Sequence, residues 1–270
     1  MSNQLQIAAR RGFARAPGVV GLYPCFQVSP DVQMTDGSGA GNSAAFGAGL
    51  TAANAWATAS RLTTADNVSG TVAGSPFLSG AVLNWDLLTQ SLIVAGVVNI
   101  AAAPAATRHI LGNGSSTTVR GFALRYNVTT GLASILAHGA ATLFGTAGSN
   151  IATAADVHIA MAIDATTQRA YLFVGGAYDA TANGTAAYVS GAGGLSFSAQ
   201  TANMSAACLS NPLMFSGQAH TGTLSLTPTA TSYGWQIAKR TGALPSNIET
   251  IVKRLARHPL QVLTSTEWPA

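Results

Sequence analysis

The sequence is poor in charge and in cysteine. Charged residues make up 8% of the 270 positions and hydrophobic residues 48%, whereas about a quarter of an average globular chain is charged. Such a chain exposes apolar area that a partner covers, so we expect a stable assembly, with a low-charge secreted β-protein as the alternative. The two cysteines, Cys25 and Cys208, are far apart and lack metal-ligand spacing, which predicts free buried thiols.

Paired carboxylates and other catalytic motifs are also missing. The only glutamates, Glu249 and Glu267, lie near the C-terminus, and the aspartates stand singly, whereas hydrolysis of a glycosidic bond needs two carboxylates at one cleft. No Gly-x-Ser-x-Gly elbow, phosphate loop or paired histidine ligands occur. We therefore predict a binding or structural protein that is not an enzyme, without catalytic residues, cofactor or metal; a carboxylate pair assembled from distant strands is the alternative.

No segment suits a membrane or a nucleic acid. The apolar run at 92–100 is too short to cross a bilayer and is interrupted by Asn99. The net charge of +4 is weak and scattered, unlike a nucleic-acid groove. The N-terminal arginines are not followed by the apolar run of a signal peptide. These features predict a soluble chain made in a cytoplasm.

The sequence does contain many short apolar or alternating runs separated by turn residues. Runs of this kind, with almost no helical period between them, favour a mostly β, two-sheet antiparallel jelly-roll sandwich, which we place at residues 31–240. Residues 31–49 are rich in glycine and polar turn residues and predict a loop into this domain. The candidate strands are 87–99, 121–128, 132–137, 157–163, 170–174, 195–197, 206–209, 213–215 and 234–238.

One short helix is predicted at 247–257, within a C-terminal segment of residues 241–270. Ser246 precedes it as a capping residue, Glu249 lies near its positive end, and Pro259 ends it. This spacing makes one face apolar, so we expect that face to dock on another surface. The apolar positions are Ile248, Ile251, Val252 and Leu255.

Two segments resemble the concanavalin A-like, laminin-G-like jelly rolls. Residues 156–164 and 169–176 resemble the central hairpin of that family, in which a strand ending in Asp, here Asp164, turns into a strand carrying a Tyr and Gly pattern, here from Tyr171. Residues 36–42 are similar to an Asp-x-Ser-Gly-x-Gly-Asn segment near the start of many such domains. The resemblance covers about residues 31–240 and implies the fold.

A second resemblance concerns the C-terminus. Residues 244–249 and 255–263 are similar to the ending of many bacteriophage virion proteins of this fold, where a helix leads into an Asn-Pro-Trp-Gln-like segment; His258 and Leu260 replace the usual Asn and Trp. The resemblance implies a virion structural protein, such as a head fibre, decoration or tail-associated protein, made in the bacterial host cytoplasm. Family analogy also favours a homo-oligomer, with a trimer preferred.

A carbohydrate-binding lectin that contacts host surface glycans is the alternative function. Sugars are recognised by aromatic faces beside amides and carboxylates, and Asn84, Trp85 and Asp86 form the most lectin-like group. Trp85 begins a predicted strand, however, so packing in the core is the stronger interpretation. Asp36 and Asn42 could supply calcium oxygens, but two residues do not make a six-oxygen shell.

Residues 1–30 are predicted to be an N-terminal arm. Its first 24 residues are too apolar for a solvated tail and too short for a domain, so they should be ordered only against another surface. Arg10, Arg11 and Arg15 would pair with acidic groups of another virion protein or subunit, beside a pocket for Phe13. The alternative is that the arm folds back as an edge strand of its own jelly roll.

Overall fold

The computed structural model describes residues 16–25, 31, 33–46, 51–58, 61–65, 76–78, 85–101, 108–114, 120–127, 129–144, 147–210, 213–218 and 228–269. Within these ranges the chain forms two antiparallel sheets, which confirms the predicted mostly β sandwich. The strands are β1 Val19–Tyr23, β2 Gln33–Met34, β3 Ala44–Phe46, β4 Leu62–Ala65, β5 Pro76–Leu78, β6 Gln90–Asn99, β7 Arg108–Gly112, β8 Gly121–Tyr126, β9 Ala133–His138, β10 Thr142–Phe144, β11 Asp156–Asp164, β12 Arg169–Val174, β13 Ala177–Tyr178, β14 Leu195–Ser196, β15 Leu213–Gln218 and β16 Pro228–Thr241.

The two sheets differ in what covers them. Sheet I has the order β1-β16-β6-β11-β12-β13, with β14 beside β12 and β4 beside β16, and sheet II has the order β10-β9-β8-β7-β15-β5-β3-β2. One buried apolar cluster lies between the sheets, and β6 contributes Leu92, Val94 and Val98 to it. A second cluster joins the other face of sheet I, through Ile93 and Ala95, to the C-terminal segment.

Four α-helices are described: α1 Ala52–Ala55, α2 Ala180–Asn183, α3 Thr201–Ser210 and α4 Ile248–Arg257. The last of these confirms the predicted C-terminal helix, and its buried side chains face sheet I. Ser246 is not its cap, because Asn247 holds that position and makes no side-chain capping bond. Within the described part of the chain, no helix is long and apolar enough to span a bilayer.

The segment after α4 returns to sheet I. The Gln236 amide donates from Nε2 to the carbonyl oxygen of Gln261 at 2.7 Å. Arg254 of α4 forms an ion pair with Glu267, in which Nη2 lies 2.8 Å from Oε2, and Trp268 is fully buried. The C-terminal segment therefore completes the second apolar cluster.

The predicted arm is only partly within the described residues. Val19–Tyr23 forms β1, which pairs with β16 through contacts such as Tyr23 with Trp235. This part of the arm agrees with the alternative interpretation, in which the arm is an edge strand of its own jelly roll. Its buried side chains pack into both apolar clusters of sheet I. Residues 1–15, which include Arg10, Arg11, Phe13 and Arg15, lie outside the described residues.

Most candidate strands are confirmed, with one clear error. Residues 206–209 were predicted as a strand, but they belong to helix α3. Alanine and leucine favour helices in such a run, and a short apolar stretch does not distinguish the two structures by itself. Within 31–49, predicted as a loop, β2 and β3 form a short antiparallel pair. The thiols of Cys25 and Cys208 are free and buried.

The hairpin of β11 and β12 matches the resemblance drawn from the sequence. Its two strands pair from Ile159 with Val174 to Asp164 with Arg169. The fully buried Asp164 accepts the backbone N–H groups of Thr166 and Thr167 at 2.9 and 3.1 Å. The aspartate that ends the strand therefore stabilises the turn, because it satisfies backbone donors that the turn leaves unpaired.

Replacing Ile251 of α4 with alanine should lower the free energy of unfolding by about 2–4 kcal/mol, because the change removes buried methyl groups and leaves a cavity. The matched change Lys253→Ala, on the exposed side of α4, should stay within about 0.5 kcal/mol of the parent protein. Urea unfolding followed by tryptophan fluorescence measures both. Equal losses in the two variants would contradict the docking of α4 on sheet I.

Candidate functional site

Four polar side chains meet at one end of sheet I, and we call them the rim cluster: Arg61, Asn99, Asp156 and Tyr233. Asn99 ends β6 and Asp156 begins β11, and the two residues are direct partners in the sheet. Tyr233 lies on β16, the other neighbour of β6. Arg61 precedes β4, whose Leu62 pairs with Ser232. Neighbouring strands therefore bring together residues that are up to 172 positions apart (233 − 61).

A β-bulge in β16 sets the position of Tyr233. Tyr233 pairs with Val97 and Gln236 with Ala95, so Gly234 and Trp235 together oppose Gly96. Gly234 has a φ of 65°, which glycine adopts without steric cost. The extra residue interrupts the regular alternation of the strand at this point. Trp235 is buried between the sheets, while Tyr233 reaches the rim cluster.

Asp156 is the centre of the hydrogen bonding in the rim cluster. The Arg61 guanidinium donates from Nη1 to Oδ1 at 2.9 Å and from Nη2 to Oδ2 at 2.7 Å. Asn99 donates from Nδ2 to Oδ1 at 3.0 Å, and the Tyr233 hydroxyl donates to Oδ2 at 3.1 Å. A carboxylate offers about four acceptor sites. Asp156 therefore organises its neighbours, and their outward atoms are the ones available to a ligand.

Charge and burial shift the pKa values within the rim cluster. The hydrogen bonds from Arg61 lower the pKa of Asp156, and the same interaction raises the pKa of Arg61. Burial, followed by the charge of Asp156, raises the pKa of the Tyr233 hydroxyl. The side chains of Arg61 and Asp156 are 26% and 35% exposed, so the ionised pair is accessible from solvent.

Arg61 also lies over the Tyr233 ring. Its guanidinium carbon is 4.7 Å from the ring centroid, a distance at which the cation is attracted by the ring face. This contact and the two hydrogen bonds with Asp156 fix the guanidinium plane. The rim cluster is thus a preorganised, partly exposed polar site on the ends of rigid strands.

The glycan contacts suggested by the sequence do not form a site. Trp85 is 2% exposed and its indole N–H donates to the carbonyl oxygen of Gln90 at 2.6 Å, so the ring packs in the core and has no face for a sugar. Asp86 accepts the Leu88 backbone N–H and the Thr89 hydroxyl, at 3.0 and 2.7 Å, and caps a turn. Asn84 lies outside the described residues.

The oxygens of Asp36 and Asn42 serve a loop. The Asp36 carboxylate accepts the backbone N–H groups of Leu22, Ser38 and Asn42 at 2.8–3.0 Å. The Asn42 carbonyl oxygen accepts the Tyr23 hydroxyl at 2.6 Å. The segment that resembles jelly-roll domains therefore connects β1 to sheet II. Among the described residues, no group of three or more His, Cys, Asp or Glu side chains is arranged to hold a metal ion.

Local sequence patterns do not reveal the rim cluster, although one signal points to it. Asn99 interrupts an apolar run, and polar residues at the ends of buried strands are candidates for a site. Nothing in the sequence pairs Asn99 with Asp156, because that pairing depends on the order of strands in the sheet.

No family model matches the chain, and no curated protein is significantly similar in sequence. Solved structures share its fold. Trypanosoma rangeli sialidase with the inhibitor DANA has a TM-score of 0.55 at 14% identity, over 94% of this chain and 36% of the sialidase. The same enzyme with sialic acid has a TM-score of 0.50 at 12% identity, over 88% of this chain and 32% of that one.

The binding domain of Paraclostridial Mosquitocidal Protein 1 has a TM-score of 0.52 at 10% identity, over 88% of this chain and 52% of that one. The chain thus spans about a third of the sialidases and half of the toxin domain. At these identities the likeness shows the fold alone. The prediction that the chain is not an enzyme is wrong: the neighbours that share this fold over part of their length include sialidases, which are enzymes, so the missing motifs do not exclude catalysis.

Replacing Arg61 with glutamine should raise the pKa of Asp156 toward the value of about 3.9 found in unfolded chains. In the parent protein the folded-state pKa is lowered. The stabilisation by this pair is therefore present above about pH 4 and is lost as the pH falls through the folded-state pKa. Its partial exposure limits the contribution to less than about 1 kcal/mol. NMR titration of the carboxyl carbon measures the shift.

The control for this titration is Arg169→Gln. Arg169 lies opposite Asp164, at the far end of β11 from Asp156, so its removal should leave the Asp156 titration unchanged. An unshifted Asp156 titration in the Arg61→Gln variant would contradict the ion pair.

Proposed function

We propose that this chain is a carbohydrate-binding, lectin-like β-sandwich and that the rim cluster is its glycan site. The observation that carries the proposal is the geometry around Asp156, which holds a guanidinium, an amide and a phenol together at an exposed end of the sheet. Sugar hydroxyls both donate and accept hydrogen bonds, and these are the side chains that complement them. Because these groups lie on strand ends, no loop has to become ordered when a ligand binds, and binding avoids that entropy cost.

The structural neighbours support the same class of ligand. One is a sialidase in complex with sialic acid, and another is named as the binding domain of a toxin. The part that shares this architecture is about a third of the sialidase chain. In this chain, the residues of the rim cluster would bind the ligand.

Asp156→Asn should weaken glycan binding at least about tenfold, or about 1.4 kcal/mol, because it removes the charge that orients Arg61. A glycan array, followed by calorimetry on the best ligand, measures the effect. The matched control is Asp86→Asn, the same change at the opposite end of β6, where the carboxylate caps a turn. Asp86→Asn should leave affinity unchanged. Equal weakening by both variants, or an array without any bound glycan, would refute the proposal.

We further propose that the sandwich is a structural component of a bacteriophage particle, anchored by its N-terminal arm. The low charge and the virion-like C-terminal sequence support this proposal.

The Ala16 N–H donates to the carbonyl oxygen of Leu263 at 2.9 Å, so the arm enters beside the C-terminal segment. Val19 pairs with Ala238, which pairs with Ile93. Ile93 is six positions from Asn99, or about 20 Å along β6, so an anchored module would point the rim cluster away from its attachment.

Deleting residues 1–15 should leave a folded, glycan-binding sandwich that fails to enter particles or to form the homo-oligomer, for which a trimer is favoured. Mass spectrometry of purified particles and light scattering of the soluble chain measure these outcomes. The control is Arg10, Arg11 and Arg15 changed together to lysine, which keeps the charge. A truncated chain that assembles as well as the full one would show that the arm is not an anchor.

A further inference from the structure

The rim cluster favours one class of sugar over others, because its aromatic ring is already engaged. The Arg61 guanidinium lies over the Tyr233 ring at 4.7 Å, and the partly buried ring also packs against the cluster between the sheets. A neutral hexose is commonly held by stacking its C–H face on an open aromatic ring. The cluster instead presents polar atoms to a ligand.

Arg61 keeps unused hydrogen-bond donors. A guanidinium has five N–H groups, and Asp156 accepts one from each terminal nitrogen. Among the described residues, no acceptor contacts Nε of Arg61. The edge formed by Nε–H and the second N–H of the neighbouring terminal nitrogen has the fork geometry that binds a carboxylate through two parallel hydrogen bonds.

The other members of the rim cluster fit a ligand that carries hydroxyls beside its charge. Asn99 donates its amide to Asp156, which leaves the amide carbonyl oxygen as an acceptor for a hydroxyl. The ionised Asp156 repels a second carboxylate, although it occupies a different edge of the guanidinium, the one between the two terminal nitrogens. At an exposed rim, water and salt reduce that repulsion.

We propose that the rim cluster binds the carboxylate of an acidic sugar through the free edge of Arg61, with a sugar hydroxyl on the Asn99 carbonyl oxygen. This inference rests on the proposed glycan-binding function and specifies its ligand class. The carboxylate belongs to a sialic acid or to a uronic acid, which share this chemistry.

Calorimetry with the full chain tests the inference using pairs of saccharides that differ in charge. The probes are 3′-sialyllactose and its methyl ester, a glucuronate-terminated disaccharide and its methyl ester, and lactose. We expect one of the acids to bind at least tenfold more tightly than its ester, and the acid that does so identifies the source of the carboxylate. Added salt should weaken the acid's binding more than the ester's.

Variants of Arg61 provide the second arm of the experiment. Arg61→Lys keeps the positive charge but loses the planar fork, so it should remove the preference for the acid over its ester. Arg169→Lys, at the far end of the β11–β12 hairpin, should leave the preference intact. An acid and ester that bind equally to the parent protein, or a preference that persists in Arg61→Lys, would overturn the inference.

The outcomes separate this inference from the proposed function. Binding of neutral glycans that is weakened by Asp156→Asn, without a preference for acids, would overturn the acidic-sugar assignment and leave the rim cluster as a glycan site. A failure of every saccharide to bind would overturn both.

Discussion

Strand β6 is apolar on both of its faces, and the rest of the structure depends on covering it. Leu92, Val94 and Val98 face sheet II, while Ile93 and Ala95 face the C-terminal segment. Burial of one such side chain contributes about 1.5–3 kcal/mol, so a sheet with either face open would lose much of its stability. Helix α4 and the segment that ends at the buried Trp268 meet this requirement.

The same strand explains where the rim cluster forms. The run of buried residues in β6 ends at Asn99, and the neighbouring β11 begins at Asp156. Polar side chains are tolerated there because water reaches them, yet the strands on either side hold their backbones in register. Gly234 adds the third strand to the arrangement through its bulge. Polar groups on such rigid strands hold a fixed geometry, which is what a binding site requires, and the hydrogen bonds to Asp156 are an example.

The few acidic residues of the chain have structural roles. Asp36, Asp164 and Asp179 each accept backbone N–H groups at turns or at a helix start. Arg254 is paired with Glu267 to hold the C-terminal segment. These acidic residues therefore stabilise local geometry or hold one segment against another. Asp156 differs, because its four hydrogen bonds come from three side chains, which lie on β6, on β16 and just before β4.

The sequence by itself determined the mostly β class, the jelly-roll-like hairpin of β11 and β12, and the amphipathic helix α4. Each of these depends on local chemistry: alternation, a turn-capping Asp164, or apolar residues at helical spacing. Local pattern did not distinguish helix α3 from a strand, because a short apolar run suits either. It also allowed Trp85 to be read as a ligand contact, until burial placed the ring in the core.

Tertiary structure alone decided the candidate site. The order β4-β16-β6-β11 brings Arg61, Asn99, Asp156 and Tyr233 together, and strand order is set by which apolar faces pack best over the whole domain. No periodicity within a short window encodes that choice, because the contacts that reward it join residues far apart in the chain. Local sequence patterns therefore determined most of the elements, and long-range burial determined which of them are neighbours and where the rim cluster forms.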